Sequence, residues 1–243
     1  MRHISLLLCT ALLSSCATLT PVEADLLIAG GTIYPGNGDP FVGDVAIRGK
    51  RIVAVGPALQ VAATRTIDAR GMIVSPGFID PHTHMDTWLT SEDPRRRLVE
   101  PFLLQGVTTA FIGNDGNGAT RVKPILDGVE TKPVGINFAT FVGFGSVRKE
   151  AIGNDRRPPT DYELSQQRTL VRDAMCEGAI GLSTGLFYAP QSFAETDEVV
   201  ELARVAGGMA GVGLAGIRRD AGQGWRALGR WWRRGGRSGR KGR

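Results

Sequence analysis

The sequence is poor in cysteine and has no long apolar run. Its 243 residues include three cysteines, and Cys9 and Cys16 both precede residue 17, which leaves Cys176 alone in the rest of the chain. A disulfide within residues 17–243 is therefore excluded. No apolar run approaches the ~20 residues that a membrane-spanning helix needs, so the sequence predicts no such helix.

Histidine is equally scarce, and this limits the chemistry that the chain can perform. The three histidines are His3, His82 and His84, and none follows His84. A metal centre that uses imidazole ligands must therefore use His82 and His84, because His3 lies in the basic start of the chain.

Acidic residues are almost absent from one end of the chain. Between Met209 and Arg243 there are ten Lys and Arg residues and a single acidic residue, Asp220, which gives this segment a net charge of +9. The whole chain carries +5, so residues 1–208 carry a net charge of −4. With 42% apolar residues, the chain is long enough for one sizeable domain or two small ones.

The first residues have the pattern of an export signal. Met1–Cys16 has a basic start, an apolar stretch over Ile4–Leu13 and then small residues. Leu13-Ser14-Ser15-Cys16 resembles a bacterial lipobox, which implies lipidation of Cys16. The alternative is an ordinary signal peptide that is cleaved after a small residue. Ala17 after the cysteine implies an exported protein that is anchored by lipid to the outer membrane and faces the periplasm.

Residues 17–71 are predicted to form strands. Short β-branched and apolar segments alternate with glycine-containing turns, which is typical of an antiparallel sheet. The predicted strands are Leu26–Ile28, Thr32–Tyr34, Val45–Arg48 and Ile52–Val55.

The segment from Ser75 to Asp86 organises the next part of the chain. The apolar run Met72–Ile79 predicts a short buried strand, broken by Pro76 and Gly77. His82 and His84 are two residues apart, so on an extended segment both imidazoles point to the same side. Because neutral imidazole is a common Zn²⁺ ligand, the pair indicates a metal site; two ordinary loop histidines are the alternative.

Three segments together resemble a known family. P-G-F-I-D-P-H-T-H, followed by G-V-T-T-A-F-I-G at Gly106–Gly113, resembles the amidohydrolase superfamily. G-A-I-G-L-S-T-G-L-F-Y-A-P at Gly178–Pro190 looks like the N-acyl-D-amino acid deacylases (D-aminoacylases) of that superfamily. The resemblance implies a metal-dependent (β/α)₈ barrel of the TIM type flanked by a small β-sandwich. It also implies hydrolysis of an amide by a metal-activated water, with one or two Zn²⁺ ions.

The resemblance also implies roles for single residues. His82 and His84 match the metal-ligating motif, and Asp115 lies where the deacylases carry a ligating cysteine. A carboxylate can replace that thiolate, although Asn-Asp-Gly is equally typical of a turn. Tyr188 is a candidate for binding the substrate carboxylate, with loop packing as the alternative. Phe144 lies where relatives often have histidine.

Helices and further strands are predicted along the barrel segment. Asp161 is the expected N-cap of a helix that Gly178 ends, and Cys176 is expected to pack rather than react. The predicted elements are a helix within Pro94–Gln105, strands at Val107–Ile112 and Val134–Val142, the helix Asp161–Glu177, a fourth strand within Gly178–Pro190 and the helix Thr196–Ala206.

The resemblance covers Asp25–Gly208 and then stops. Relatives continue with a fifth strand that ends in H-I-R-D-E or H-M-R-D-E, a further histidine and a catalytic aspartate, whereas Ile217-Arg218-Arg219-Asp220 only faintly resembles that motif. No catalytic residue is therefore assigned. Residues 209–243 have no strand-like or helical period, and are either an off-frame translation or a genuine Arg/Trp segment that binds anions.

The predicted organisation has four parts and an α/β fold. Residues 1–16 are the lipoprotein signal, 17–71 part of the β-sandwich, 72–208 about four of eight barrel strands, and 209–243 the basic tail. A half-barrel with open edges is expected to aggregate unless two copies pair.

The predicted function is zinc-dependent hydrolysis of N-acyl-D-amino acids, impaired because half of the barrel is missing. The expected partners are the small-molecule substrate and the membrane, with no nucleic acid. A cyclic-amide hydrolase of the hydantoinase or dihydroorotase type is one alternative, although Gly178–Leu186 lacks the lysine of those enzymes. The other is a non-catalytic, membrane-anchored protein with an anion-binding tail.

Overall fold

The computed structural model describes residues 20–209 and 211–216, which form two compact units that divide between Pro76 and Gly77. The predicted signal with Cys16, and the tail from residue 217 onward, lie outside the described residues. Among the helices of the described part, none is both long and apolar enough to cross a membrane.

The first unit is one mixed five-stranded sheet. Its strands lie in the order β3-β2-β1-β4, and β5 pairs with β1 beyond the end of β4. The pairs β1–β2 and β2–β3 are antiparallel, while β4 and β5 run parallel to β1. The strands are β1 (Val22–Ile33), β2 (Phe41–Arg48), β3 (Arg51–Gly56), β4 (Val61–Asp68) and β5 (Ile73–Val74).

Two of the predicted strands in this unit are one strand. The segments Leu26–Ile28 and Thr32–Tyr34 were expected to be separated by a Gly30-Gly31 turn, but β1 continues through both glycines. The register with β2 shifts between Ile28 and Gly31, and Gly30 has a φ of +73°. The glycines therefore form a bulge, which inserts a residue without reversing the chain.

The boundary between the units lies after Pro76 rather than after residue 71. Ile73 and Val74 pair with β1, so they belong to the first unit. The prediction of one buried strand over Met72–Ile79 is wrong, because its apolar side chains at 72, 73, 78 and 79 are between 58% and 70% exposed. Pro76 and Gly77 separate it into β5 and β6 (Phe78–Asp80), which lie in different units.

The second unit contains two parallel three-stranded sheets. One has the order β6-β7-β8, with β7 at Val107–Ile112 and β8 at Asn137–Thr140. The other has the order β11-β10-β9, with β9 at Val142–Gly143, β10 at Gly181–Gly185 and β11 at Val212–Gly216. The predicted strand Val134–Val142 is thus divided at Phe141 between the two sheets.

The strand β11 (Val212–Gly216) lies within residues 209–243, where the sequence shows no strand-like period. It pairs in parallel with the whole of β10, from Gly181 opposite Val212 to Gly185 opposite Gly216. Backbone groups make this pairing, so the segment V-G-L-A-G needs no alternation of apolar and polar side chains to take part.

Seven helices are described in the second unit, and the predicted bounds of the longest are confirmed. Its N-cap is Thr160 rather than Asp161, because Thr160 Oγ1 accepts a hydrogen bond from the Glu163 amide and the Glu163 side chain accepts one from the Thr160 amide. The helix predicted within Pro94–Gln105 is two short helices, since Val99 between them has a φ of +46°. The helices are α1 (Asp86–Leu89), α2 (Pro94–Arg97), α3 (Glu100–Leu103), α4 (Lys123–Thr131), α5 (Phe144–Ile152), α6 (Asp161–Glu177) and α7 (Thr196–Gly208), and a short 3-10 turn spans Gln191–Phe193.

Helices α5, α6 and α7 pack their apolar faces around the strand β10. Phe144, Val171 and Leu202 are fully buried in this cluster together with Leu182 of β10. Cys176 is exposed, so the expectation that it packs against its neighbours is wrong. This core thus holds the helices that follow the strands in position. The candidate site lies in the loops that follow the strands, outside this core.

Candidate metal centre

His82 and His84 lie in the loop between β6 and α1. Thr83 between them is buried, and both its amide and its Oγ1 donate to the Phe111 carbonyl oxygen at the end of β7, at 3.2 and 2.7 Å. The chain bends at Pro81 and His82, so this bend, rather than the alternation of a straight strand, places the two imidazoles. Their ring centroids are 5.3 Å apart. The structure therefore brings the two histidines together.

Asp115 lies in the loop that follows β7, and its carboxylate faces both histidines. Its Oδ2 is 3.5 Å from His82 Nε2 and 3.3 Å from His84 Nε2. Asp115 has a φ of +55°, and Gly113 and Gly116 are also left-handed, at +75° and +74°. Asp115 can therefore be both part of a tight turn and a metal ligand, because the turn directs its carboxylate toward the histidines.

Residues from two other segments hold this loop in place. The Gly113 amide donates to Asp86 Oδ1 at 2.8 Å, which ties the loop to the first turn of α1. Ser183 of β10 donates from Oγ to the Gly113 carbonyl oxygen at 2.5 Å and accepts from the Gly116 amide at 3.1 Å. Because Ser183 is fully buried, these bonds are shielded from water.

The donor set fits a zinc ion. The three ligand atoms lie within 4.8 Å of one another, and this is the one such His/Cys/Asp/Glu group found in the described residues. Ligands at the usual zinc distances of ~2.0–2.1 Å in a tetrahedron lie about 3.3–3.4 Å apart, close to the 3.3 and 3.5 Å between Asp115 and the imidazoles. Three protein ligands and an open fourth position are typical of catalytic zinc sites.

The solvent exposure of the three side chains agrees with an open site. The side chains of His82 and His84 are 48% and 59% exposed, whereas that of Asp115 is 19% exposed. A ligand set that closes a structural zinc site would be buried on all sides. This arrangement instead leaves both imidazoles accessible to solvent.

Tyr188 lies close to the same loop but outside the group of three. Its half-exposed ring packs edge-on against Phe187, at 5.4 Å between centroids. A Cβ atom at Gly185 would lie 3.0 Å from the Tyr188 ring and 2.4 Å from the Asp115 carbonyl oxygen. The ring and the Asp115 backbone are therefore both close neighbours of Gly185.

The sequence interpretation missed several residues that hold the loop. Asp86 lies at the end of the stretch Ser75–Asp86 and Ser183 lies within Gly178–Pro190, but only their contacts with Gly113 show what they do. Gln191 was not singled out at all, although its buried amide bonds to the Asp115 carbonyl oxygen. The signal in the sequence that could have indicated it is a polar amide residue directly after Gly178–Pro190, the segment of the predicted fourth strand.

Comparison with known proteins identifies the family to which the chain is similar. The profile of the amidohydrolase family matches residues 65–231. The chain is 36% identical over 223 residues to D-aminoacylase of Alcaligenes xylosoxydans xylosoxydans, a match that covers 82% of this chain and 45% of that protein. It is 34% identical to N-acyl-D-aspartate deacylase of the same organism, over 82% of this chain and 44% of that one.

Solved structures show the same similarity. A crystal structure of D-aminoacylase matches with a TM-score of 0.80 and 32% identity, covering 86% of this chain and 49% of that chain. N-acyl-D-glutamate deacylase from Bordetella bronchiseptica, solved with zinc and a phosphonate inhibitor, matches with a TM-score of 0.78 and 28% identity over 88% of this chain and 50% of that one.

The chain thus spans about half the length of the relatives it matches. Its mixed α/β fold is that of the D-aminoacylase structures over the shared part. Because the family profile matches more than half of its residues, the chain belongs to the amidohydrolase family.

Proposed function

We propose that this chain carries the metal-binding part of a zinc-dependent amide hydrolase that acts on N-acyl-D-amino acids. The observation that carries the proposal is the convergence of His82, His84 and Asp115, with 3.3 and 3.5 Å between the carboxylate and the two imidazoles. The relatives named D-aminoacylase and N-acyl-D-aspartate deacylase support the choice of substrate class.

The fold assignment that accompanies this proposal is a partial (β/α)₈ barrel. We propose that β6, β7, β8 with β9, β10 and β11 are five successive barrel strands, and that β1–β5 belong to a small β-sandwich. All pairings among β6–β11 are parallel, as such a barrel requires. Under this assignment His82, His84 and Asp115 follow the carboxyl ends of the first two strands, where barrel enzymes place their active sites.

Each residue of the site has a distinct part in the proposed mechanism. Zn²⁺, when bound, would supply a water of lowered pKa and would polarise the scissile carbonyl group. His82 and His84 would hold the ion with neutral nitrogen atoms, and Asp115 would add a negatively charged oxygen ligand. Tyr188 offers a hydroxyl donor to the substrate carboxylate. The proton-relaying aspartate of the family resemblance is assigned to none of the described residues.

Zinc titration of the purified 243-residue chain tests the metal centre. In competition with a chromophoric chelator, we expect tight zinc binding that His84→Ala weakens strongly. Asp127→Asn is the matched control, because this carboxylate pairs with Lys123 on exposed α4. Equal zinc affinity of wild type and His84→Ala would refute the proposed centre.

Binding of an N-acetyl-D-amino acid tests the substrate class. Calorimetry on the zinc-loaded chain is expected to show binding of the D enantiomer in preference to the L enantiomer, and weaker binding by Tyr188→Phe. A cyclic amide that binds instead of the D-amino acid derivative would favour the hydantoinase alternative.

We also propose that the protein is an exported lipoprotein of the outer membrane, with Cys16 lipidated. The support is the sequence Leu13-Ser14-Ser15-Cys16 after an apolar stretch. In a bacterial host, incorporation of labelled palmitate that is lost in Cys16→Ser would support the proposal. Incorporation that persists in Cys16→Ser would contradict it.

A further inference from the structure

Gln191 has a buried amide that joins two of the loops at the candidate site. The residue begins the 3-10 turn after β10 and is 1% exposed. Its Nε2 donates to the Asp115 carbonyl oxygen at 2.9 Å, and its Oε1 accepts from the Gly185 amide at 2.7 Å. One side chain therefore forms hydrogen bonds with the carbonyl group of the candidate metal ligand Asp115 and with the amide of Gly185 at the end of β10.

Two glycines make room for this amide. A Cβ atom at Gly116 would lie 2.0 Å from Gln191 Oε1, and one at Gly145 would lie 2.7 Å from Nε2. Any larger residue at Gly116 would therefore displace the amide or the loop. The loop after β7, the start of α5 and the end of β10 all close around the same side chain.

The bond to Asp115 acts on an unfavourable backbone conformation. Asp115 has a φ of +55°, a left-handed conformation that aspartate adopts more readily than most residues but less readily than glycine. A hydrogen bond that exists only when the Asp115 carbonyl oxygen points toward Gln191 favours this conformation over extended alternatives. The direction of the carboxylate follows from the same backbone geometry.

We propose that Gln191 is a positioning residue of the metal centre. Its amide holds the Asp115 backbone so that the carboxylate faces His82 and His84, and it ties that ligand to the segment that carries Tyr188. Tyr188 is held there by its own amide, which donates to the Gly185 carbonyl oxygen at 2.9 Å. The inference rests on the proposed zinc centre, because it gives Gln191 the role of positioning a ligand of that ion.

Gln191→Met in the full chain tests the inference, because it removes both hydrogen bonds and nearly conserves volume. Partners in the outer shell of a metal site typically contribute 10–100-fold to metal affinity, so we expect the zinc dissociation constant to rise by about that factor. The visible absorption of the Co²⁺-loaded protein should change in intensity as the ligand geometry changes.

Gln167→Met is the matched control. Gln167 is fully buried in α6, and its Nε2 donates to Glu198 at 2.9 Å rather than to the loop of Asp115. This variant is expected to lose stability but to keep wild-type zinc affinity and the wild-type Co²⁺ spectrum. If Gln191→Met does not fold, Gln191→Glu takes its place, because it keeps an acceptor for the Gly185 amide and loses the donor to Asp115.

A double-mutant cycle distinguishes positioning from general destabilisation. If Gln191 acts through Asp115, Gln191→Met should weaken zinc binding no further in an Asp115→Ala background. The inference alone is overturned if Gln191→Met binds zinc like wild type, or if its full effect persists without the Asp115 carboxylate. A wild-type chain that binds no zinc overturns the proposed centre itself, and the inference with it.

Discussion

Arg148 and Glu198 form an ion pair whose side chains are 0% and 2% exposed. Arg148 lies in α5 and Glu198 in the first turn of α7, and Gln167 of α6 donates to the same carboxylate at 2.9 Å. Arg148 Nη2 also donates to the Arg157 carbonyl oxygen at 2.7 Å. A single buried polar network therefore connects the three helices that pack on β10.

Breaking this pair on one side is expected to destabilise the second unit strongly. Arg148→Met leaves the Glu198 carboxylate buried without its cation, a change that typically costs about 3–5 kcal/mol. Urea denaturation followed by circular dichroism measures the loss. The double variant Arg148→Met/Glu198→Leu should recover most of it, because two apolar residues replace the charges. A double variant as unstable as the single one would contradict this account.

Two substitutions of Asp115 test whether its carboxylate is a zinc ligand. Asp115→Cys is expected to retain zinc binding, because a thiolate ligates zinc as well as a carboxylate does. Asp115→Ala removes the third ligand and should weaken binding strongly, although it keeps the loop sequence otherwise unchanged. Chelator competition on both variants measures the difference. Equal affinities of Asp115→Ala and wild type would show that the carboxylate is not a ligand.

Acid should weaken the start of α6. Hydrogen bonds from Arg157 and from the Thr160 amide lower the pKa of Glu163 to about 2, from an ordinary value of 4.5. The lowered pKa means that the ionised carboxylate stabilises the fold fully above about pH 4.5, and that this stabilisation is lost as the pH falls toward 2.

Glu163→Gln isolates this contribution. Glutamine can still complete the capping box but carries no charge. Wild type should therefore be more stable than the variant at neutral pH, and the difference in denaturation midpoint should shrink on acidification below about pH 4.5. A difference that stays constant with pH would contradict the assignment.

The strand β6 is expected to promote self-association. It is the terminal strand of its sheet within the described residues, and Phe78 and Ile79 are 62% and 64% exposed on it. Exposed apolar edge strands pair readily with other chains. Ile79→Lys should shift sedimentation-velocity profiles toward monomer, whereas Tyr162→Lys, at a comparably exposed position of the helix α6, should not. A wild-type chain that is monomeric at high concentration would contradict the prediction.

Local signals were sufficient where neighbouring residues decide the structure. The strand Val107–Ile112 and the helix Asp161–Glu177 have the predicted bounds, because their apolar pattern and the glycine that ends the helix act within a few residues. The prediction failed where a local signal was ambiguous. Gly30-Gly31 suits a turn and a bulge equally well, and pairing with β2 selects the bulge.

The spacing of residues in the sequence predicted one part of the candidate site, the pair of histidines, and left the role of Asp115 open. The two histidines were identified because alternation in an extended segment would place them on one side. In the structure a bend at Pro81 and His82 brings them together, and both face one carboxylate. Asp115 remained undecided between a turn and a ligand. Its direction depends on bonds from residues distant in sequence, such as Ser183 and Gln191, whose contacts no local pattern encodes.

The sequence by itself determined the family, the pair of histidines and most of the elements, because these depend on composition, spacing and short-range periodicity. The tertiary structure alone decided that Asp115 faces the histidines, that Gln191 holds its backbone, and that Arg148 and Glu198 share a buried pair. The physical reason is range: hydrogen bonds and ion pairs act over a few ångströms, and only the folded chain brings residues separated by tens of positions to such distances.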